Sequence, residues 1–277
     1  MYSLGVVMSI SFDIGRFLVR PGRKLYGFLV RSRVKPGAVA EIASIPARYN
    51  ITILHLAFSR TQSSEKPITA LAFLDFTDSD ISPEKLAEEV GKLEFVEEVK
   101  IIKPKVEGFI ADTASFPLMV SASRAIIFSE EGLKGLIVDL RERIGSGAEA
   151  ILYFSGFEVG RELAKKYFGV SELLGIKGLR EKIIFAADVF MSVGYGILEI
   201  LKFEENPPYA LLRIHRCMEC ELGRNAGKPF SHFIRGILAG FNSQILGVKM
   251  FARETKCIAK GDPYCEFEVT PDRQKLI

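Results

Sequence analysis

The sequence predicts an α+β protein of two domains, a ferredoxin-like βαββαβ unit followed by a mixed α/β domain. Three observations carry that prediction. The chain has 277 residues, more than one hydrophobic core usually serves, so two domains are expected and each can bury a core without disulfide staples. Residues 24–104 alternate between period-two and helical apolar patterns in the order strand, helix, strand, strand, helix, strand. Residues 116–272 instead mix long amphipathic helices with late strands and contain all four cysteines.

After an N-terminal extension, 1–23, residues 25–34 alternate and are rich in β-formers. Pro36-Gly37 breaks the chain before a helical pattern over 38–49, which Asn50 ends; Pro46 within it removes a backbone hydrogen bond and predicts a kink. A strand follows at 51–60, a polar loop at 61–66 and a strand at 68–77. Ser82-Pro83-Glu84 opens the second helix, with Ser as N-cap, Pro at the first helical position and Glu near the positive end of the dipole. The last strand is 96–103, and 105–115 has no clear period and is expected to be a linker.

In the second domain, 118–128 reads as strands and 130–144 as a helix. Gly145 to Gly147 makes a turn before a long amphipathic helix at 149–168, and a further helix covers 178–194. A strand at 195–203, a hairpin turn at Asn206-Pro207-Pro208 and a strand at 209–216 lead directly to Cys217. Residues 229–247 read as a helix whose glycines, in Gly236-Ile237-Leu238-Ala239-Gly240, permit close packing; strands at 249–259 and 266–270 follow. Phe154, Phe157, Phe185, Phe190 and Tyr195 are core candidates that could also line an apolar ligand cavity.

Composition narrows the function classes. The net charge is only +3, with both signs interspersed, so there is no basic stripe and no direct nucleic-acid contact is expected. Met1 to Ser9 lacks the charged lead, long apolar run and cleavage site of a secretory signal, so the expectation is a cytoplasmic protein. The apolar stretch 183–201 has the length of a membrane span, but Asp188 and Glu199 argue for a buried helix and against the membrane. Scarce Asn and Gln with plentiful Lys, Arg and Glu suggest a thermophilic source.

The cysteines form two clusters. Arg216-Cys217-Met218-Glu219-Cys220 has a Cys-x2-Cys spacing that offers two sulfurs to one zinc. Glu254-x2-Cys257-x7-Cys265 folds its two thiols together through the turn Gly261-Asp262-Pro263. Four sulfurs could close a tetrahedron around zinc, remain free thiols, or join as a disulfide between clusters. A closed shell of four protein ligands leaves no open position, so such a zinc is structural. His55 and His215 lie on apolar strands and are assigned nothing, whereas His232 opens a helix and either caps it or binds metal.

Val34-Lys35-Pro36-Gly37-Ala38-Val39-Ala40-Glu41-Ile42-Ala43, closed by Tyr49-Asn50-Ile51-Thr52-Ile53, resembles the ACT domain, a regulatory module for amino acids and other small effectors. The resemblance covers about 24–104 and implies effector contacts at Gly37 and Asn50, usually across a dimer interface, and hence a homodimer. Gly lets backbone approach a ligand, and the helix after it offers unpaired N–H groups to a carboxylate.

The glycine-bearing helix together with Glu254-x2-Cys257-x7-Cys265 resembles the 4-vinyl reductase domain family, over roughly 115–272. That family includes bacteriochlorophyll biosynthesis proteins and sensor domains of phenol-responsive activators. The resemblance implies zinc ligands at Glu254, Cys257 and Cys265, with a fourth at an upstream position that falls here on Ser231. Cys217, Cys220 or His232 are the available replacements; the reading preferred from sequence is a site of four cysteines with Glu254 beside it.

No catalytic constellation stands out: there is no nucleophile triad order, no GxGxxG after a strand and no Walker loop. The expectation is a regulatory protein that binds a small-molecule effector, amino-acid-like or aromatic and apolar, with its output in a separate protein. The alternatives are a reductase or reductase subunit acting on a vinyl group, which needs a hydride cofactor with no motif here, and a thiol-based redox sensor.

Overall fold

The structure, a computed structural model, describes residues 10–59 and 66–272. The expectations for Met1 to Ser9 and for the loop after residue 59 fall on residues outside that set, apart from Lys66. Two compact units divide between Ile126 and Ile127.

The first unit contains β1 (Phe17–Val19), β2 (Leu25–Ser32), α1 (Ala38–Arg48), β3 (Thr52–Phe58), β4 (Ile68–Asp75), α2 (Pro83–Gly91), β5 (Val96–Ile102) and β6 (Phe109–Ala111). Two-residue strands β7 (Met119–Val120) and β8 (Ser123–Arg124) close it. Strands β3-β4-β2-β5 form one antiparallel sheet. Because side chains alternate across a strand, Phe28 and Val30 of β2 pack with Ile45 of α1 and with Leu86 and Val90 of α2. Ser82 caps α2 by accepting from Lys85 N at 3.1 Å. Pro46 falls in the last turn of α1, so its missing N–H costs the helix little of its length.

The opposite face of the same sheet presents Leu25, Leu71, Phe73 and Ile102, which also need cover. The segment expected as a linker provides it. Its strand β6 pairs with β1 from the N-terminal extension, and Ile110 sits in this second core at 1% exposure. Residues 118–128, expected as strands, hold only the short β7 and β8 pairing.

The second unit runs α3 (Glu130–Lys134), a π-helical turn (Gly135–Asp139), α4 (Leu140–Ile144), α5 (Ser146–Leu173), α6 (Leu179–Ser192), β9 (Ile197–Glu205) and β10 (Pro208–His215). It continues with α7 (Met218–Leu222), α8 (His232–Leu246), β11 (Met250–Lys256), a 3-10 turn (Ile258–Lys260) and β12 (Cys265–Pro271). The antiparallel sheet has the order β11-β12-β10-β9. Its buried face carries Ala210, Leu212, Ile214, Phe267 and Val269, in one core with Ile234, Ile237 and Leu238 of α8. Each large apolar side chain buried there contributes about 1.5–3 kcal/mol. The other face is laced with ion pairs, Arg213 with Glu266 at 3.0 Å and Arg253 with Glu268 at 2.5 Å.

Helices α5 and α8 meet backbone to backbone. A Cβ at Gly156 or Gly160 would strike the carbonyls of Phe233 or Ile237, and one at Gly236 or Gly240 those of Tyr153 or Phe157. Small residues four apart on both helices therefore set this close approach, as the 236–240 pattern leads one to expect. No helix among the described residues is long and apolar enough to cross a membrane. The apolar stretch 183–201 divides between α6, with Asp188 exposed, and β9, where Glu199 lies 3.9 Å from Arg213.

Candidate metal centre and ligand cavity

The four cysteines converge where three strands end. After β10, Arg216 takes a left-handed turn (φ 52°) that delivers Cys217 to the start of α7 and Cys220 into that helix. Helix α7 has no counterpart among the elements expected from the sequence. Glu254 lies near the end of β11, Cys257 follows it, and Cys265 opens β12 opposite Ile214. Asp262 holds the turn: its Oδ2 accepts from Cys257 N at 2.8 Å and its own N–H donates to Cys257 O at 3.1 Å.

All four thiols are free and fully buried. Cys257 Sγ lies 3.5 Å from Cys220 Sγ, and Cys220 Sγ 3.6 Å from Glu254 Oε1. The ligand atoms of Cys220, Glu254, Cys257 and Cys265 all fall within 4.8 Å of one another. Tetrahedral zinc with bonds of about 2.3 Å to sulfur separates its ligands by roughly 3.8 Å, so this donor set fits such an ion. Cys217 is a fifth donor alongside, within hydrogen-bonding reach of Cys220 and Cys265.

Protonation supports that fit. The hydrogen bond from Cys220, and then that from Cys265, pulls the Cys217 thiol down to about 6. Contact with Cys217 pushes the Cys220 thiol upward. Burial, reinforced by the Cys257 thiol, pushes Glu254 up to about 7. A divalent cation that binds here would displace the proton from Glu254 and from the thiols, which then serve as its ligands.

Ser231, the expected upstream position, does reach the cluster, but through its backbone N–H, 3.5 Å from Glu254 Oε2. The sulfur at that corner is Cys220. His232 turns elsewhere: its Nδ1 lies 3.1 Å from Arg141 Nη2, its Nε2 is 3.6 Å from Glu149, and burial pushes its pKa down to about 4. His215 stacks edge-on with Tyr264, and His55 packs against Phe73.

Sequence reading missed Glu219. Its fully buried carboxylate accepts from Phe233 N at 3.1 Å and Ile234 N at 2.8 Å, capping α8, for which Ser231 makes no side-chain cap. Arg141 Nη2 donates to it at 2.5 Å and to Phe230 O at 2.8 Å. Burial raises the pKa of Glu219, opposed by Arg141 and the two amides.

Beside this region lies a narrow apolar cavity of about 50 Å³. Its walls include Leu163 of α5, Ile183 and Phe190 of α6, Leu198 of β9, Leu212 of β10 and Leu238 of α8. No charged side chain lines it; the polar groups are Tyr167, Tyr195 and Asn242. Asn242 donates Nδ2 to Leu238 O at 2.8 Å, which leaves its Oδ1 available. Neither tyrosine hydroxyl has a hydrogen-bond partner among the described residues, and burial raises the pKa of both. Of the aromatic candidates, Phe190 and Tyr195 line this cavity, Phe185 stacks on Tyr167, and Phe154 and Phe157 line a separate cleft.

In the first unit, Gly37 stands before α1 with φ 81° and Asn50 beyond its end with φ 53°. Asn50 Nδ2 donates to Asp78 O at 3.2 Å. A helix of 11 residues lies between them, about 16 Å of rise, so one chain does not bring the two positions to one small ligand.

Residues 211–271 match the 4-vinyl reductase domain family. An uncharacterized protein of Methanocaldococcus jannaschii is 38% identical over 125 residues, 45% of this chain and 66% of that protein. Another uncharacterized protein of the same organism is 31% identical over 132 residues, 48% of this chain and 70% of that protein. The chain thus spans about two thirds of the curated relatives it matches. A solved structure, the phenol-responsive sensory domain of the transcription activator PoxR with phenol, superposes with a TM-score of 0.51 at 19% identity, covering 55% of this chain and 79% of that one. That likeness is one of fold.

Proposed function

We propose, for a chain that belongs to the same family as the second of these Methanocaldococcus jannaschii proteins and carries a 4-vinyl reductase domain at residues 211–271, that it is a small-molecule-sensing regulatory protein. The observation that carries this reading is the cavity: apolar walls, no charge, and three polar groups with unused hydrogen-bonding capacity. Such a wall suits a neutral apolar molecule with one hydroxyl or carbonyl head, because a buried ion would find no counter-charge there. The fold likeness to a domain whose structure contains phenol supports the same reading.

The metal cluster is proposed as a structural zinc site with Cys220, Glu254, Cys257 and Cys265 as ligands and Cys217 hydrogen-bonded to two of the sulfurs. When bound, the ion would supply charge neutralisation and a fixed joint between the ends of β10, β11 and β12. The first unit is proposed as an effector module of the ACT kind acting as a homodimer, a reading supported by the resemblance and by the helix that keeps Gly37 and Asn50 of one chain apart.

The test is calorimetric titration of uncharged aromatic alcohols into zinc-loaded protein, beside elemental analysis and a thiol count. Saturable binding that weakens in Tyr195→Phe and Asn242→Leu, with one zinc per chain, supports the proposal. Binding indifferent to both substitutions, or four thiols titrating freely in metal-free protein, sinks its two halves separately.

A further inference from the structure

We infer that the open cleft between α5, α8 and β11 is a second ligand site, selective for an aromatic monocarboxylate and independent of the apolar cavity. The cleft has a volume of about 610 Å³ and opens to solvent, and its walls come from Tyr153, Phe154 and Phe157 of α5, Arg235 of α8 and Phe251 of β11. Tyr153 and Phe251 lie 6.1 Å apart at 43°, with Phe154 edge-on to Tyr153 at 5.7 Å, so the floor is a tilted set of rings on which a flat ligand can lie.

Charge in the cleft is nearly all spoken for. Glu149 is held by Lys228 at 2.9 Å, Asp272 by Lys249 at 2.8 Å, and Glu158 by Arg161 at 3.3 Å. His232, which also faces the cleft, stays neutral because burial pushes its pKa down to about 4. Arg235 differs from its neighbours. Its guanidinium lies over the Tyr153 ring at 5.4 Å, its Nε is buried without a hydrogen-bond partner, and no carboxylate pairs with it among the described residues.

A ring-stacked guanidinium with no counter-charge is an incomplete recognition element, because guanidinium presents its donors as a planar fork matched to a carboxylate. The rings beside it specify what the carboxylate is attached to. The charge balance specifies a monoanion: Glu149, Glu158 and Asp272 are each held by a cation of their own, which leaves Arg235 as one uncompensated positive charge among the described residues. The hydroxyl of Tyr153, raised in pKa chiefly by burial, stays a donor at neutral pH and can reach the same ligand. The two sites thus divide by charge, neutral molecules in the apolar cavity and carboxylates on Arg235.

Calorimetric titration of the full chain with benzoate, and with benzyl alcohol as its uncharged counterpart, tests this. Benzoate is expected to bind saturably, and Arg235→Gln to weaken it by about tenfold or more, the usual consequence of losing a charge-assisted hydrogen bond. Phe251→Ala, at a position 43% exposed, is expected to weaken benzoate as well, in protein whose melting temperature confirms that it is folded. Neither variant should alter benzyl alcohol binding. Absence of saturable benzoate binding, benzoate affinity unchanged in both variants, or displacement of benzoate by benzyl alcohol overturns the inference. So does a loss of dimer in Phe251→Ala by light scattering, which would make the cleft a contact between copies.

Discussion

Glu219 is the most exacting position for the physical account of the second unit. Its side chain is 0% exposed, it pairs with an Arg141 side chain 8% exposed at 2.5 Å, and it caps α8 through two amides. Glu219→Gln keeps the shape and one carbonyl acceptor but leaves the guanidinium buried without its counter-charge. Removing one partner of a buried pair costs about 3–5 kcal/mol, and the lower end applies because Arg141 retains the carbonyls of Ile137 and Phe230. For a unit of this size each kcal/mol shifts the midpoint by roughly 2–4 °C, so the second unit is expected to melt about 6–12 °C lower. Scanning calorimetry of the full chain gives the shift, and hydrogen exchange read peptide by peptide assigns the transition. In the double variant Glu219→Gln, Arg141→Met the loss should fall short of additive by about 1 kcal/mol or more, since no charge is then stranded. A Gln variant melting within a degree or two of the parent, or strictly additive losses, would refute the reasoning.

Three further predictions follow from the same unit. His232 is held neutral, its pKa pushed to about 4 first by burial and then by the neighbouring Arg235 and Arg141, against the pull of Glu149. A histidine depressed below its unfolded value of about 6.5 contributes stability above that pH and loses it as pH falls toward 4, so urea midpoints should decline over that window and His232→Gln should flatten the decline. Gly240→Ala places a methyl against the Phe157 carbonyl and is expected to cost about 1–3 kcal/mol by urea melting, whereas Gly247→Ala, with open space around it, tests only the cost of its φ of 68°. Cys220→Ser should lower bound zinc far more than Cys217→Ser in competition with a chromogenic chelator; equal losses would make Cys217 a ligand and demote Glu254.

What was legible in the sequence was local. The turn that draws Cys257 and Cys265 together is written in Gly261-Asp262-Pro263, and the structure shows Asp262 gripping Cys257 from both sides. Gly236 and Gly240 announced a close helix contact, but not its partner, because Gly156 and Gly160 lie in a helix whose glycines look merely tolerated. Helix α7 is five residues long, too short for any period to register. The Arg141–Glu219 pair joins residues 78 apart in sequence, and no local pattern records such a meeting. Strand β6 escaped for a related reason: three residues carry no alternation, and the need for Ile110 arises only once the second face of the sheet is known to be apolar. The cavity aromatics could be named as candidates but not sorted, since Phe154 and Phe157 of α5 go to the cleft while Phe190 of α6 and Tyr195 after it go to the cavity, a division made by how the helices pack and not by their spacing.

The glycine seam between α5 and α8 has a mechanical consequence. With carbonyls where side chains would otherwise stand at the four glycines, there are no rotamers to exchange at those points, so the two helices resist sliding there as packed backbone. Those helices supply Leu163, Tyr167, Leu238 and Asn242 to the cavity, which makes that wall a stiff jaw. The other walls are α6, which brings Ile183, Ala186, Ala187 and Phe190 and is followed by Gly194 and Gly196 at φ 91° and 143°, and the strands β9 and β10, which bring Leu198, Ile200 and Leu212. A larger guest therefore meets close-packed backbone on the α5–α8 side, and the length of molecule that fits is decided by the side chains of α6 and of the sheet opposite.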